Sequence, residues 1–168
     1  ANAASISAAN ATGNVTLASD TGAGVAVTVT GGAGDDALTL TGTNTATDTV
    51  AGGLGDDRII FAADLADADI VTGGDGEDTL VAIDADIDGL TTANNISGFE
   101  VLEFSDAING AVTLATVQSG LDEVTLTGTD NADGAALTFE AGSNTVNING
   151  VNLGILTVSD TGLATNDS

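Results

Sequence analysis

The sequence predicts an all-β chain wound as a right-handed parallel β-solenoid, with about seven turns of 21–22 residues. One phrase recurs three times: Gly31-Gly32-Ala33-Gly34-Asp35-Asp36, Gly52-Gly53-Leu54-Gly55-Asp56-Asp57 and Gly73-Gly74-Asp75-Gly76-Glu77-Asp78. The copies begin 21 residues apart both times. Aliphatic residues around them alternate with a period of two, the spacing of one strand face. Helical periodicity is hard to find, and 23 Gly among many Thr and Val argue against helices.

Taken in order, residues 1–12 are small and polar and are expected as an irregular entering segment. Residues 13–89 form the solenoid turns that carry the strong loops. Gly13-Asn14-Val15-Thr16-Leu17 precedes the first phrase by one period, with Val15 in the acidic place. Val25, Val27 and Val29 then alternate with Ala26 and Thr28, a strand signature. Val29, Val50 and Val71 stand just before the glycine pairs. Phe61 to Ala68 suits a helical turn or a loop. Residues 90–168 are expected as a degenerate continuation, with a separate β-sandwich as the competing reading. There the phase persists without paired glycines, through Gly98-Phe99-Glu100-Val101-Leu102, Gly120-Leu121-Asp122-Glu123-Val124 and Gly142-Ser143-Asn144-Thr145-Val146. Two columns run along the turns, the second from the turn of Leu40 onward with Ala82 its small exception. One is Leu17, Leu38, Ile59, Leu80, Leu102, Val124 and Val146. The other, two residues on, is Leu40, Phe61, Ala82, Phe104, Leu126 and Ile148. Stacked turns at strand spacing would bring each column into contact as a thin aliphatic core.

Charge narrows the functional classes. Acidic residues number 25 against the single basic Arg58, a net charge of −24. Nothing is present to neutralise phosphates, so nucleic acid is excluded as a partner, and anionic membrane surfaces are disfavoured. A compact fold of this charge repels itself unless cations bind. The apolar fraction of 42% in strand-like runs argues against disorder. The chain has no Cys, His or Lys, so thiol, zinc and the usual nucleophile chemistries are absent. Paired carboxylates can cleave glycosides, but such clefts usually stack sugars on aromatics, and only four Phe are present. An enzyme is not expected. No apolar stretch reaches membrane-spanning length, so no transmembrane segment is expected. The chain opens on Ala1 rather than Met, which suggests a processed form or a fragment.

The loops supply a chemistry for the acids. Glycine pairs permit tight reversals with carbonyls turned inward. An Asp two residues after the third glycine adds a carboxylate among them. Hard oxygen donors of this kind suit Ca²⁺, which takes six to eight at about 2.3–2.6 Å, better than Mg²⁺, which keeps its water. One loop offers too few ligands, whereas two loops on adjacent turns can hold one ion between them.

The three phrases match G-G-x-G-x-D-x-U-x at every defined position, over Gly31 to Thr39, Gly52 to Ile60 and Gly73 to Val81. The chain thereby resembles the RTX (repeats-in-toxin) family, whose parallel β-roll binds Ca²⁺. The resemblance implies that Asp36, Asp57 and Asp78 are bridging carboxylates. It implies carbonyl ligands at Gly31, Gly32, Ala33 and Gly34, at Gly52, Gly53, Leu54 and Gly55, and at Gly73, Gly74, Asp75 and Gly76. Two full sites would lie between the three loops, with half-sites at the outer ones. The usual RTX period is nine, with loops on both edges. Here one edge carries the motif, and the other is an ordinary connection such as Thr41 to Asp48. In this the chain looks closest to RTX-bearing bacterial S-layer proteins, and Ile96-Ser97-Gly98-Phe99-Glu100-Val101-Leu102 looks like a segment common after RTX loops in them.

Weaker metal candidates accompany these. Glu100 and Asp122 continue the Asp column without paired glycines. Asp84-Ala85-Asp86-Ile87-Asp88-Gly89 opens like an EF-hand loop, though its twelfth position is Asn95 and no helices are expected to flank it. The favoured reading is a strand with Asp84, Asp86 and Asp88 facing solvent, with an irregular Ca²⁺ site as the alternative. A bulge or turn must then fall between Leu80 and Ile83. Arg58 is expected to point outward in an ion pair.

The expected function is a calcium-dependent structural module, secreted to a bacterial cell surface or extracellular matrix. Itself is the expected partner, in a lattice or filament, with cell-surface polysaccharide as a further candidate. Leu156-Thr157-Val158-Ser159-Asp160-Thr161-Gly162 echoes Leu17-Ala18-Ser19-Asp20-Thr21-Gly22, an end-to-end likeness that suits self-assembly. Alternatives are a spacer or binding module of an RTX adhesin, or the secretion and folding domain of a larger RTX exoprotein.

Overall fold

The computed structural model describes residues 3–21, 24–42, 46–91, 95–118, 120–128, 136–139, 145–148 and 157–160. The chain is a parallel β-solenoid. Its first wall stacks β1 (Ala3–Ser7), β3 (Ala26–Thr30), β5 (Thr49–Leu54), β7 (Ile70–Asp75) and β9 (Ile96–Ser97) in that order. The second wall holds seven rungs in the order β2 (Thr16–Thr21), β4 (Ala37–Gly42), β6 (Arg58–Phe61), β8 (Thr79–Ala82), β10 (Val101–Phe104), β12 (Glu123–Leu126) and β14 (Thr145–Ile148). A third sheet stacks β11 (Ala111–Thr113), β13 (Ala136–Phe139) and β15 (Thr157–Asp160) and alternates along the chain with the last rungs of the second wall. Every strand pair is parallel. Among the described residues the second wall is therefore one sheet from Thr16 to Ile148, with none of the antiparallel pairing of a sandwich.

Side-chain alternation builds these walls. In β4 and β6 every second residue faces inward, so Leu38 packs over Ile59 and Leu40 over Phe61, in register. Register carries the first column onward through Leu80, Leu102 and Val124, all fully buried, to a partly buried Leu17 at one end and Val146 at the other. The opposite wall contributes Val29, Val50, Val71 and Ile96 in one line. Apolar side chains of this size gain roughly 1.5–3 kcal/mol each on full burial, which makes the two columns the main adhesive between turns.

Two elements differ from the sequence reading, and a third resolves between its two alternatives. The entering segment contributes a strand: β1 pairs with β3 over five residues and sets Ile6 beside Val29. After Phe61, which ends β6, residues 62–68 are an irregular connection, the loop rather than the helical turn, anchored by buried Leu65. Residues 84–89 are a short helix, α1 (Asp84–Gly89), where the favoured reading was a strand with its acids in solvent. Leu80, Val81 and Ala82 are all buried, so the alternation breaks at the end of β8. The chain then turns into α1, which buries Asp84 and Ile87, three residues apart on one helical face. The Gly142 to Asn144 phrase lies outside the described residues, as do Gly22, Leu156, Thr161 and Gly162 of the two similar end phrases. Among the described residues no helix is long and apolar enough to cross a membrane.

Candidate metal centre

The three glycine-aspartate loops join the first wall to the second and stack on one edge. Gly34 donates its N–H to the Leu54 carbonyl (2.7 Å), Leu54 to the Gly32 carbonyl (3.0 Å) and Gly55 to the Asp75 carbonyl (2.8 Å). The expected carbonyl ligands of Gly32, Leu54 and Asp75 thus accept hydrogen bonds between loops. The Leu54 side chain faces solvent.

The last acid of each loop turns inward. Asp36, Asp57 and Asp78 are buried. Each sends one carboxylate oxygen toward the preceding turn. Asp36 Oδ1 accepts the N–H of Val15 (2.7 Å), Asp57 Oδ1 that of Asp36 (2.8 Å), and Asp78 Oδ1 that of Asp57 (2.7 Å). Glu100 extends the ladder, its Oε2 accepting the N–H of Asp78 (2.8 Å). The second oxygens differ. Asp36 Oδ2 accepts the N–H of Gly32 (2.7 Å), whereas Asp57 Oδ2 and Asp78 Oδ2 are buried with no hydrogen-bond partner. A buried carboxylate oxygen left unpaired costs free energy that a cation or a proton can recover. Burial pushes the Asp57 carboxyl up to about 6, opposed by the Asp36 N–H and reinforced by the charges of Asp78, Asp36 and Asp35. Burial likewise raises Asp78, opposed by the Asp57 N–H and reinforced by Glu100, Asp56 and Asp75.

The first glycine of each loop marks where those second oxygens point. A Cβ on Gly52 would collide with Asp57 Oδ2 and stand 2.6 Å from the Gly73 carbonyl oxygen. A Cβ on Gly31 would collide with Asp36 Oδ2 and the Gly52 carbonyl, so the same cradle recurs one turn earlier. The first glycines are thus required for space. Positive φ belongs to later positions, such as Gly55 (109°) and Gly76 (147°). Each cradle gathers a carboxylate oxygen from one turn and a carbonyl oxygen from the next, a donor set that fits a hard divalent cation. Among the described residues no three acidic side chains converge as a metal cluster. An ion here therefore requires the backbone carbonyls as well.

The weaker candidates scatter. Asp122 is exposed and lines, with Glu77, Glu100, Val101, Glu123 and Thr145, a cavity of about 320 Å³. Asp84, Asp86 and Asp88 lie beyond the far end of β8, away from the loop edge. Asp84 donates its N–H to Asp106 Oδ1 (2.7 Å) and accepts the Asn109 N–H on Oδ2 (3.0 Å), while its Oδ1 is unpaired. Asp86 Oδ2 accepts the Leu65 N–H (3.1 Å), and Asp88 is exposed. Burial raises both the Asp84 and Asp86 carboxyls.

Two features escaped the sequence reading. The penultimate acids make an outer ladder of opposite sense. Asn14 Oδ1 accepts the N–H of Asp35 (3.2 Å), Asp35 Oδ1 that of Asp56 (3.1 Å), and Asp56 Oδ1 that of Glu77 (2.9 Å). The opposite edge, expected to be an ordinary connection, holds a second buried ladder. Asp48 Oδ1 accepts the Val27 N–H (2.7 Å) and Asp69 Oδ1 the Asp48 N–H (2.8 Å). Its signal in the sequence is the 21-residue spacing of Asp48 and Asp69, each followed by a β-branched pair or its equivalent, Thr49-Val50 and Ile70-Val71. Arg58 forks onto Glu103, two rungs away, through two bonds of 2.8 Å, an outward ion pair as expected. Compared with known proteins, the chain matches no family model, and no curated protein or solved structure matches it.

Proposed function

We propose that this chain is a calcium-dependent extracellular structural module, an RTX-like β-roll that assembles with itself into a surface layer or filament. The observation behind this reading is the pair of buried, unpartnered oxygens, Asp57 Oδ2 and Asp78 Oδ2, beside first glycines whose missing side chains leave room for an ion. Asp36 and Asp57 hold the ions together with the Gly52 and Gly73 carbonyls of the following turn, and Asp78 fastens the second site by accepting the Asp57 N–H. Calcium supplies the charge that offsets the mutual repulsion of the stacked carboxylates, so binding energy becomes folding energy. A net charge of −24 opposes folding while calcium is scarce and favours it where calcium is plentiful, as outside a cell. Among the described residues β1 and β2 at one end and β14 and β15 at the other pair on one side only, and these edges are the surfaces for end-to-end addition.

A calcium titration followed by circular dichroism, with electron microscopy of the same samples, tests both halves. Calcium is expected to raise β content and thermal stability, and to yield ordered sheets or filaments that chelator dissolves. Identical spectra and melting in calcium and in chelator would refute the calcium reading. Particles that stay monomeric by light scattering in saturating calcium would refute self-assembly.

A further inference from the structure

The glycine motif ends at Asp78, but the geometry that makes a cradle continues for one more turn. β7 pairs with β9 at a separation of 25 residues, Thr72 opposite Ser97. β8 pairs with β10 at a separation of 22, Thr79 opposite Val101. The six-residue loop Gly73 to Asp78 is therefore stacked on a loop of only three residues, Gly98, Phe99 and Glu100. Three residues have left this edge, and four have been added between β8 and β9. The shortened loop keeps a glycine at its first position and an acid at its last.

Those two residues recreate the earlier pattern. A Cβ on Gly73 would collide with the Gly98 carbonyl oxygen and stand 2.6 Å from Asp78 Oδ2. This is the arrangement at Gly52, with Gly98 in place of Gly73. Asp78 is fully buried, and its Oδ2 has no partner. The Glu100 carboxylate reaches the Asp78 N–H through Oε2, as Asp78 reaches Asp57, and its longer side chain spans what the shorter loop gives up. Phe99 is buried between them, its N–H donated to Gln118 Oε1 (3.2 Å) and its carbonyl bonded by Gln118 Nε2. The loop is thus fixed from below. Glu100 also lines the 320 Å³ cavity.

We propose that Asp78, Gly98 and Glu100 form a further divalent-cation site, which closes the ion column on a turn without the glycine motif. The proposal rests on the calcium reading above. It takes the same hard cation, held by Asp78 Oδ2, the Gly98 carbonyl and Glu100.

Ion counting by native mass spectrometry and isothermal titration with calcium alone distinguishes the two ideas. The full chain is expected to bind about three calcium ions, and Glu100→Gln, which retains the acceptor for the Asp78 N–H, about two. Hydrogen exchange of the Gly98 to Val101 amides in the unaltered chain is expected to slow on calcium addition, independently of how well the variant folds. A chain that binds two ions, with those amides unchanged, overturns this site and leaves the two inter-loop sites standing. Equal ion counts for Glu100→Gln and the unaltered chain also overturn it. Absence of calcium binding in both overturns this site and the parent reading together.

Discussion

Asp57 is held in two directions. Its Oδ1 takes the N–H of the turn before, while its Oδ2 faces the carbonyl of the turn after across the gap that Gly52 leaves open. The same residue is therefore a structural clamp and a candidate ligand, and substitutions separate the roles. Gly52→Ala keeps every charge and the rest of the motif but puts a methyl into the cradle. Overpacking of this kind costs about 1–3 kcal/mol, and here it also displaces the ion. The expected outcome is a melting temperature that responds less to calcium, read by thermal scans across a calcium series. A calcium response unchanged in Gly52→Ala would mean that no ion sits at Gly52. The Asp column and the glycine pairs were legible in the sequence because both recur at a fixed interval. The reason for the first glycine was not, since close approach to a carbonyl one turn away leaves no mark in a single copy.

At the scale of the element, the rungs stand on apolar columns that stack in register. Phe61 is fully buried between Leu40 before it and the small Ala82 in the column after it. Truncation to Ala leaves a cavity next to a residue that cannot fill it. Phe61→Ala is expected to lose about 3–5 kcal/mol, measured by chemical denaturation in saturating calcium. A loss under about 1 kcal/mol would show that the ions rather than the core govern this region. The columns were readable because strand alternation repeats in every turn. α1 was not, since Asp84-Ala85-Asp86-Ile87-Asp88 alternates as a strand does and the helix is only six residues long. Its burial of Asp84 and Ile87 depends on packing against other turns, which local pattern does not encode. β1 was missed for a related reason. Its residues are small and polar, and what makes it a strand is the free edge of β3.

For the whole molecule, the buried carboxylates set a pH dependence. Burial raises Asp57 to about 6, against an ordinary value of 3.8. Burial also raises Asp69 to about 6, opposed by the N–H groups of Asp48 and Ala66 and reinforced by the charges of Asp48 and Asp64. A folded-state value above the unfolded one means that the folded chain binds more protons between about pH 4 and 6. Without calcium, stability is therefore highest in acid and falls as pH rises through that window. Melting in chelator is expected at a higher temperature at pH 5 than at pH 7, and Asp69→Asn should shrink the difference. With calcium the order reverses, because protons compete with the ion for Asp57 and Asp78. A melting temperature in chelator that stays flat from pH 4 to 7 would contradict the burial of these groups as charges.

The two ladders of opposite sense bear on how such a chain can change its length. Within the pairs Asp35-Asp36 and Asp56-Asp57 the first side chain addresses the turn ahead and its neighbour the turn behind, always through a backbone N–H. Backbone groups are the same in every turn, so the fastening does not depend on which particular turn lies next door. Removal of residues 37–57 would bring Asp36 directly before Arg58, and Asp78 would find the Asp36 N–H where it now finds that of Asp57. The solenoid can thereby gain or lose whole periods as interchangeable cassettes. The Gly98–Glu100 loop, with its altered spacing, has a fixed place in the order.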